Sequence, residues 1–446
     1  MSALEDTLSR HATASFSDAS DVSFLKSPTH FHEELIRRVR SADKRVLLSA
    51  LYFGTGDLSR QLAQAIHETL AEKPGLEVTL VLCRWRGTRN VAKGASSCDM
   101  FKQTLTQFGS RFRLQLFDAG QCGWLKAGWL PERVREAVAT HHVKAFVCDD
   151  DVIVSGANLS DTYFSDRSDR YLSVHSPALG DYVTEYIETL RPFSSHAACD
   201  DFERLHILPQ SRSSSELPRT LHDFTEKDRP TVSSQNNDGV RLFVSHQLHS
   251  AGIQHEQRLF SAMLQLRDYC FDMCTSYLNL LPEHVRLLSS PMAPKVRILT
   301  AAPQAHGWAN STGFSRHVPS FYEAAKCELA EHTDRVKLLE FVRENWSYHA
   351  KGWWLLPLAN EAEPAPVVTH VTSSNLSGRS WLRDHELGVT VLSRRPLPAV
   401  AREHAHTFGH GGAHVQEAPL KLFRADMPRQ APVWVRTLRR AFRTFF

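Results

Sequence analysis

The chain has 446 residues, 42% of them apolar and 23% charged, with a net charge of +3: room for two ordinary domains, and an ordinary globular composition. So small an excess of cations does not argue for nucleic acid, and no run approaches the eighteen apolar residues of a membrane span. Eight cysteines, at 83, 98, 122, 148, 199, 270, 274 and 327, form neither a CxxC pair nor a metal-ligand spacing, as expected of reduced thiols in a non-secretory compartment.

Residues 1–25 are rich in Ser, Ala and Asp and are predicted to be loose. They carry Glu5, Asp6, Asp18 and Asp21 against Arg10 alone, unlike a secretory signal or an Arg-rich transit peptide. A first unit is expected over 26–202. Phe31, Leu35, Ile36 and Val39 recur at helical spacing after Ser27, and a strand follows over 45–51. The turn Tyr52-Phe-Gly54-Thr-Gly56-Asp57 lacks the third Gly and the Lys of a phosphate loop, and opens a helix with Leu58, Leu62, Ile66 and Leu70 on one side. A strand over 77–83 has Arg84, Arg86 and Arg89 after its carboxyl end, the edge where ligands bind in an open α/β sheet. Guanidinium groups gathered there suit phosphate; on a bare loop they would only be solvated. A helix near 98–108 and a strand over 113–117 come next. The loop Trp124-Leu-Lys-Ala-Gly-Trp129-Leu, aromatic with one charge, fits either core cover or contact with lipid.

Residues 142–148, His-Val-Lys-Ala-Phe-Val-Cys, read as a strand whose period of two puts His142 and Lys144 on one face. A turn at Asp149-Asp-Asp151 and the apolar run Val152-Ile-Val154 form a hairpin that returns Ser155-Gly-Ala-Asn158 toward the same end. A nucleophile-capable imidazole, an ammonium and an amide donor then stand together, a cradle for a phosphoryl group and its developing charge. Asp169 follows Asn158 by eleven positions (158 to 169). A helix over 179–190 closes the unit, and 203–238, rich in Ser, Pro, Gln and Asn, reads as a linker or mobile loop.

A second unit, 239–426, repeats the order. A helix around 254–266 leads to a strand over 269–278, whose Thr-Ser-Tyr277-Leu-Asn-Leu resembles Ser-Ala-Leu51-Tyr-Phe in position. Helix 282–289, strand 296–300, a loop at Gly307 and Gly313, helix 319–331 and strand 336–341 follow. Then come His349-Ala-Lys351, Asn375 and, again eleven positions on (375 to 386), Glu386. The step from His to Asn is 16 positions in the first copy and 26 in the second, and the polar, proline-punctuated insertion 357–366 accounts for the difference. Strand, helix, strand, helix, strand, hairpin occurs twice, so the predicted fold is α/β: a pseudo-twofold pair of α/β halves meeting at their motifs. Over 427–446, Trp434, Leu438, Phe442 and Phe445 fall on one helical face and most arginines elsewhere, the pattern of a basic amphipathic helix lying on anionic lipid or docked on the protein itself.

A duplicated HxK with Asn and a carboxylate downstream resembles the phospholipase D superfamily. The first copy also has the spaced acid, His142-x-Lys144-x4-Asp149; in the second, position 356 is Leu, so Asp149 is not expected to be essential to the chemistry. Residues 50–56, 131–133 (Pro-Glu-Arg), 155–171, the run Tyr348-His-Ala-Lys-Gly-Trp353 and the terminal Phe-Phe are similar to the branch formed by eukaryotic mitochondrial phosphatidylglycerophosphate synthases. Cys83 stands where that branch is expected to have an acid, and His306-Gly307 where it is expected to have Asn-Gly. The resemblance implies two phospholipase D-like α/β/α halves with mixed central sheets and one shared active site at their interface. It implies transfer of a phosphatidyl group from CDP-diacylglycerol to glycerol 3-phosphate with release of CMP, on the way to phosphatidylglycerol and cardiolipin. His142 is then expected as nucleophile and His349 as general acid and base, with Lys144, Lys351, Asn158 and Asn375 on the nonbridging oxygens. Asp169 and Glu386 would each orient an imidazole. Arg84, Arg86, Arg89, Tyr52 and Tyr277 are the expected substrate contacts, and Trp124, Trp129, Trp434, Leu438, Phe442 and Phe445 the membrane contacts. No cofactor, metal or nucleic-acid partner is expected, and the implied location is peripheral, on the matrix side of the mitochondrial inner membrane. A phospholipase D-type phosphodiesterase or lipid hydrolase is the alternative; a nuclease, and a catalytically dead lipid-binding scaffold, stand further off.

Overall fold

The computed structural model describes residues 2–90, 95–123, 132–227, 229, 232–233, 239–358, 367–394, 396–408, 414–418, 433–441 and 444. Two mixed sheets organise them. In the first, three parallel strands, Phe112–Phe117, Glu77–Cys83 and Arg45–Ala50, lie side by side, and the antiparallel run Ala145–Cys148, Asp151–Ser155, Tyr171–His175 and Ser20–Phe24 continues from the last of them. In the second, Val336–Phe341, Lys295–Ala301 and Tyr269–Thr275 are the parallel trio, and Gly352–Pro357, Val368–Thr372, Glu386–Ser393 and Val240–Leu248 the antiparallel run. The orders match strand for strand, as a duplicated α/β unit requires.

Continuous apolar runs such as Val78, Leu80, Val81 and Leu82 make strands buried on both faces, and amphipathic helices cover them. Helix Pro28–Ser41, capped by the Ser27 side chain, buries Phe31, Leu35 and Val39 against the first sheet. An apolar cluster lies between the halves: Leu179, Val183, Tyr186 and Ile187 of helix Pro177–Leu190 pack with Val244, Val389 and Val391 of the second sheet. The two motif regions are therefore fixed to one another by core packing.

Two segments expected to be loose carry regular structure among their described residues. Residues 2–24 form helix Ser2–His11 and strands Ala14–Ser17 and Ser20–Phe24. Leu4 and Leu8 are buried with Leu259 and Phe260 of the second half, and Ala14–Ser17 pairs with Val240–Leu248, so the chain's start straddles both sheets. The expected linker 203–238 holds strand Arg204–Leu208 and helix Leu217–Thr225, whose Leu217, Leu221 and Phe224 enter the core between the halves. Its apolar residues recur at helical spacing, which outweighs its polar composition. The strand expected over 142–148 begins only at Ala145, and its counterpart begins at Gly352; each motif histidine stands three residues before a strand, in a connection that crosses to the other half.

Candidate active site

Two short parallel pairings join the halves. His141 bridges to His385, with His142 N–H donating to the His385 carbonyl at 2.8 Å and His385 N–H to the Thr140 carbonyl at 2.9 Å. Ser347–Tyr348 pairs with Arg167–Ser168, and His349 N–H donates to the Ser168 carbonyl at 2.7 Å. In each pairing the next residue is a motif histidine on one strand and an acid on the other. His142 Nδ1 lies 2.8 Å from Glu386 Oε2, and His349 Nδ1 lies 2.7 Å from Asp169 Oδ2. Each half therefore orients the other half's imidazole, and neither site is complete alone.

With Nδ1–H given to a carboxylate, each ring presents its Nε2 lone pair. Burial, then the ammonium of the neighbouring lysine, holds both imidazoles well below their ordinary range, so both are neutral bases. Burial lifts the Asp169 carboxyl to about 6 and Glu386 to about 7, and brings Lys351 down to about 8; Lys144 is also lowered, by burial first. The charges of each half act on the other: Lys351 opposes the rise at Asp169, and Lys144 adds to the depression at His349.

Each lysine is anchored on its own motif histidine's carbonyl, Lys144 Nζ donating to His142 at 2.6 Å and Lys351 Nζ to His349 at 2.7 Å; Lys351 Nζ also lies 2.7 Å from His349 Nδ1 and 3.2 Å from its Nε2. Asn158 accepts from Leu51 N–H at 3.1 Å through Oδ1, and Asn375 Oδ1 accepts from Thr275 Oγ1 at 3.5 Å, which leaves each Nδ2 as the donor for an oxyanion. Gly156 lies against this group, where a Cβ would stand 2.8 Å from Asp169 Oδ1 and 2.9 Å from Lys351 Nζ. Gly352, after the second lysine, has φ +120° and the His370 carbonyl where a Cβ would be, a close approach open to glycine alone. Among the described residues no three His, Cys, Asp or Glu side chains are grouped to hold a metal ion.

The two imidazoles differ at Nε2. That of His349 lies 3.1 Å from the Tyr163 hydroxyl, and its side chain is 4% exposed. That of His142 meets no protein partner among the described residues, and its side chain is 12% exposed. Tyr163 follows Asn158 by five positions; the same step from Asn375 reaches Ser380, so comparing the two copies does not reveal it. The duplication does not point to Arg170 either, since the residue after Glu386 is Leu387. Buried beside Asp169, Arg170 pairs with Glu403 at 2.6 Å, donates to the His370 carbonyl at 2.8 Å and to Thr369 Oγ1 at 2.7 Å, and lies 3.6 Å from the centre of the Trp354 ring, clamping the first half's acid to the second half. Its signal in the sequence is the run Asp169-Arg-Tyr171, at the end of the stretch 155–171.

Asp149 is not in the site: it accepts from the N–H groups of Asp43, Lys44 and Arg45 at 2.8, 2.9 and 2.9 Å, and holds the turn into strand Arg45–Ala50. The expected arginines divide. Arg86 covers the Tyr52 ring at 4.1 Å, Arg84 lies over Trp85, and Arg89 pairs with Glu136 at 2.6 Å. Tyr52 bonds Ser160 at 3.2 Å, and the Tyr277 ring lies 6.1 Å from that of His349. Trp124, Trp129, Phe442 and Phe445 lie outside the described residues. On helix Val433–Ala441, Val435 is buried and Arg439 is bonded to Asn279 and paired with Glu328, so the helix is docked; Trp434 and Leu438 remain 44% and 36% exposed.

No family model matches the chain. It is 29% identical over 426 residues to the mitochondrial CDP-diacylglycerol–glycerol-3-phosphate 3-phosphatidyltransferase of Gallus gallus, covering 84% of this chain and 75% of that protein. The Homo sapiens protein of the same name is 26% identical, covering 96% and 83%, and the probable one of Dictyostelium discoideum is 26% identical, covering 84% and 70%. Among solved structures, the phosphatidylserine synthase of Haemophilus influenzae superposes with a TM-score of 0.76 at 18% identity, over 100% of this chain and 99% of that one. With its two matched mixed sheets and paired HxK segments, the chain has the phospholipase D-like fold of that structure, and over most of its length it is similar to the CDP-diacylglycerol–glycerol-3-phosphate 3-phosphatidyltransferases.

Proposed function

We propose that this chain transfers a phosphatidyl group from CDP-diacylglycerol to glycerol 3-phosphate through a phosphatidyl-histidine on His142. The relatives' names supply the substrates. The observation that carries the division of labour is the difference at Nε2: the open lone pair of His142 suits attack on phosphorus, and the Tyr163-bonded, more buried His349 suits proton transfer.

In the first step His142 Nε2 forms a bond to the phosphatidyl phosphorus and the bond to the CMP oxygen breaks, its electrons leaving with CMP. Glu386 carries the positive charge that develops on the ring. Lys144, Lys351 and the amides of Asn158 and Asn375 balance the nonbridging oxygens. The donor's diphosphate raises the proton affinity of the cations around it, so Lys351 is charged when substrate is bound. In the second step His349 Nε2 takes the proton of the acceptor hydroxyl, whose oxygen attacks phosphorus and returns His142 to the neutral ring. Two in-line displacements give net retention at phosphorus.

Replacing His142 with Ala tests this: product formation and any covalent phosphatidyl-enzyme should both disappear, and retained turnover would refute the role. CMP release with phosphatidic acid as the sole lipid product, indifferent to glycerol 3-phosphate, would make the chain a hydrolase. No helix among the described residues is long and apolar enough to cross a membrane. The half-exposed Trp434 and Leu438 on a docked helix support a peripheral seat on an anionic surface, which for a protein with these relatives would be the matrix face of the mitochondrial inner membrane. Sedimentation with anionic but not neutral vesicles checks that seat.

A further inference from the structure

Beside His349 lies a group of donors that the phosphoryl-transfer chemistry does not use. Arg167 stands two residues before Asp169, its Nε donating to Ser347 Oγ at 2.9 Å and its guanidinium 4.5 Å from the centre of the Tyr163 ring. No carboxylate pairs with it among the described residues; burial works against its charge, and the side chains nearest to offset that are Tyr163, Tyr277 and Tyr52. His306 is 5% exposed, with its ring 4.9 Å from that of Tyr277 and 5.0 Å from that of Tyr322. Its Nδ1 accepts from Trp308 N–H at 3.2 Å, which fixes the proton on Nε2, and that buried Nε2–H meets no acceptor. The next residue, Gly307, brings the loop against the same group: a Cβ there would stand 3.0 Å from the Tyr277 hydroxyl and 3.6 Å from Arg167 Nη2.

A guanidinium without an acid and a buried N–H without an acceptor repel one another, and each is costly to leave unmatched. An acceptor-only anion satisfies both at once, and a phosphate monoester, with three terminal oxygens and a charge near −2, is the group of that kind which planar guanidinium donors match best. The position selects its source. His349 takes the proton from the incoming alcohol, so the alcohol enters on the Tyr163 side, and the remainder of a small phosphorylated alcohol extends away from phosphorus toward Arg167. We propose that Arg167, Tyr277 and the His306 Nε2–H form the seat for the acceptor's own phosphate, and so select glycerol 3-phosphate over water or an uncharged alcohol. This rests on the transferase reading above.

The test uses Arg167→Gln, which keeps a polar side chain on Ser347, and His306→Phe, which keeps the ring on Tyr277 and Tyr322 but loses the donor. Three quantities are read on the full chain: KM for glycerol 3-phosphate, the preference for it over glycerol, and exchange of labelled CMP into CDP-diacylglycerol without acceptor. Arg167→Gln should raise the first about 10- to 100-fold and lower the preference equally, and His306→Phe should do so about 5- to 10-fold, with exchange within about twofold of the parent. His306→Asn, which keeps an N–H donor, should recover most of the loss. Loss of CMP exchange in step with KM would assign the seat to the donor's diphosphate and overturn the proposal, as would an unchanged preference. Calorimetric titration of glycerol 3-phosphate onto enzyme without donor separates the two readings. A parent chain that only hydrolyses CDP-diacylglycerol defeats the transferase reading, and the seat is then upheld or overturned by whether Arg167→Gln abolishes that binding.

Discussion

Glu386→Gln should make the protein more stable and nearly inactive at the same pH. The Glu386 side chain is fully buried, and burial moves its carboxyl from near 4.5 to about 7. At 1.36 kcal/mol per pH unit the difference is about 3 kcal/mol. Because the folded value is the raised one, this stability is fully present below about pH 4.5 and is lost as pH rises through about 7. Glutamine carries no charge to bury and still offers Oε1 to His142 Nδ1–H and Ser373 Oγ–H, both bonded to the carboxylate in the parent. Lys144 loses one counter-charge but keeps Asp384 and Asp169 near it, which offsets part of the gain. The net expectation is about 1–3 kcal/mol of added stability at pH 8 and none at pH 4.5. The reaction loses the charge that supports a phosphorylated imidazole, which for a buried carboxylate behind a catalytic histidine costs about 10³–10⁴ in kcat. Scanning calorimetry at the two pH values, with CMP release as the activity readout, gives both numbers. A variant less stable than the parent at pH 8, or one turning over within tenfold of it, would refute the placement of Glu386 behind His142.

The same groups set the pH profile: kcat/KM should rise as Asp169 and Glu386 ionise near about 6 and about 7, and fall as Lys351 loses its proton near about 8. Lys351→Arg, permanently charged, should move the alkaline limb up by more than about one pH unit at reduced kcat. Gly156→Ala should lower kcat at least about 100-fold with little change in melting temperature, because the added Cβ meets Asp169 and Lys351 rather than the core. Asp149→Ala should do the reverse, costing about 1–3 kcal/mol in denaturant unfolding with kcat near that of the parent, since its three bonds are all to a backbone turn. Asp149 is held below the ordinary carboxylate range by those N–H groups, so its contribution is present at neutral pH and is lost as pH falls through the lowered value.

The sequence exposed what occurs twice. His142 and His349, Lys144 and Lys351, Asn158 and Asn375, Asp169 and Glu386 were all legible because duplication at matched spacing is improbable by chance, and the matched strand orders follow the same repeat. It hid what belongs to one half alone. Tyr163 and Arg170 have no equivalents at the corresponding positions, and their partners, His349 and Glu403, lie far along the chain. The crossed pairing of each imidazole with the opposite acid was hidden for another reason: it depends on the register of two pairings between halves, which no local periodicity encodes. Composition misleads at both segments expected to be loose. Leu4, Leu8 and Phe16 at the start, and Leu217, Leu221 and Phe224 in the expected linker, are enough apolar anchors to order short segments when a neighbouring sheet or helix is at hand.

The division of roles between the two imidazoles is tested most directly by arresting the reaction halfway. A phosphate leaving group with a second pKa near 6 needs little help from an acid at neutral pH, whereas an alcohol needs its proton removed. His349→Ala incubated with CDP-diacylglycerol should therefore release about one equivalent of CMP per chain and retain an acid-labile phosphatidyl group that peptide mass spectrometry places on His142. An unlabelled chain after CMP release, or a label on any residue other than His142, would contradict the mechanism.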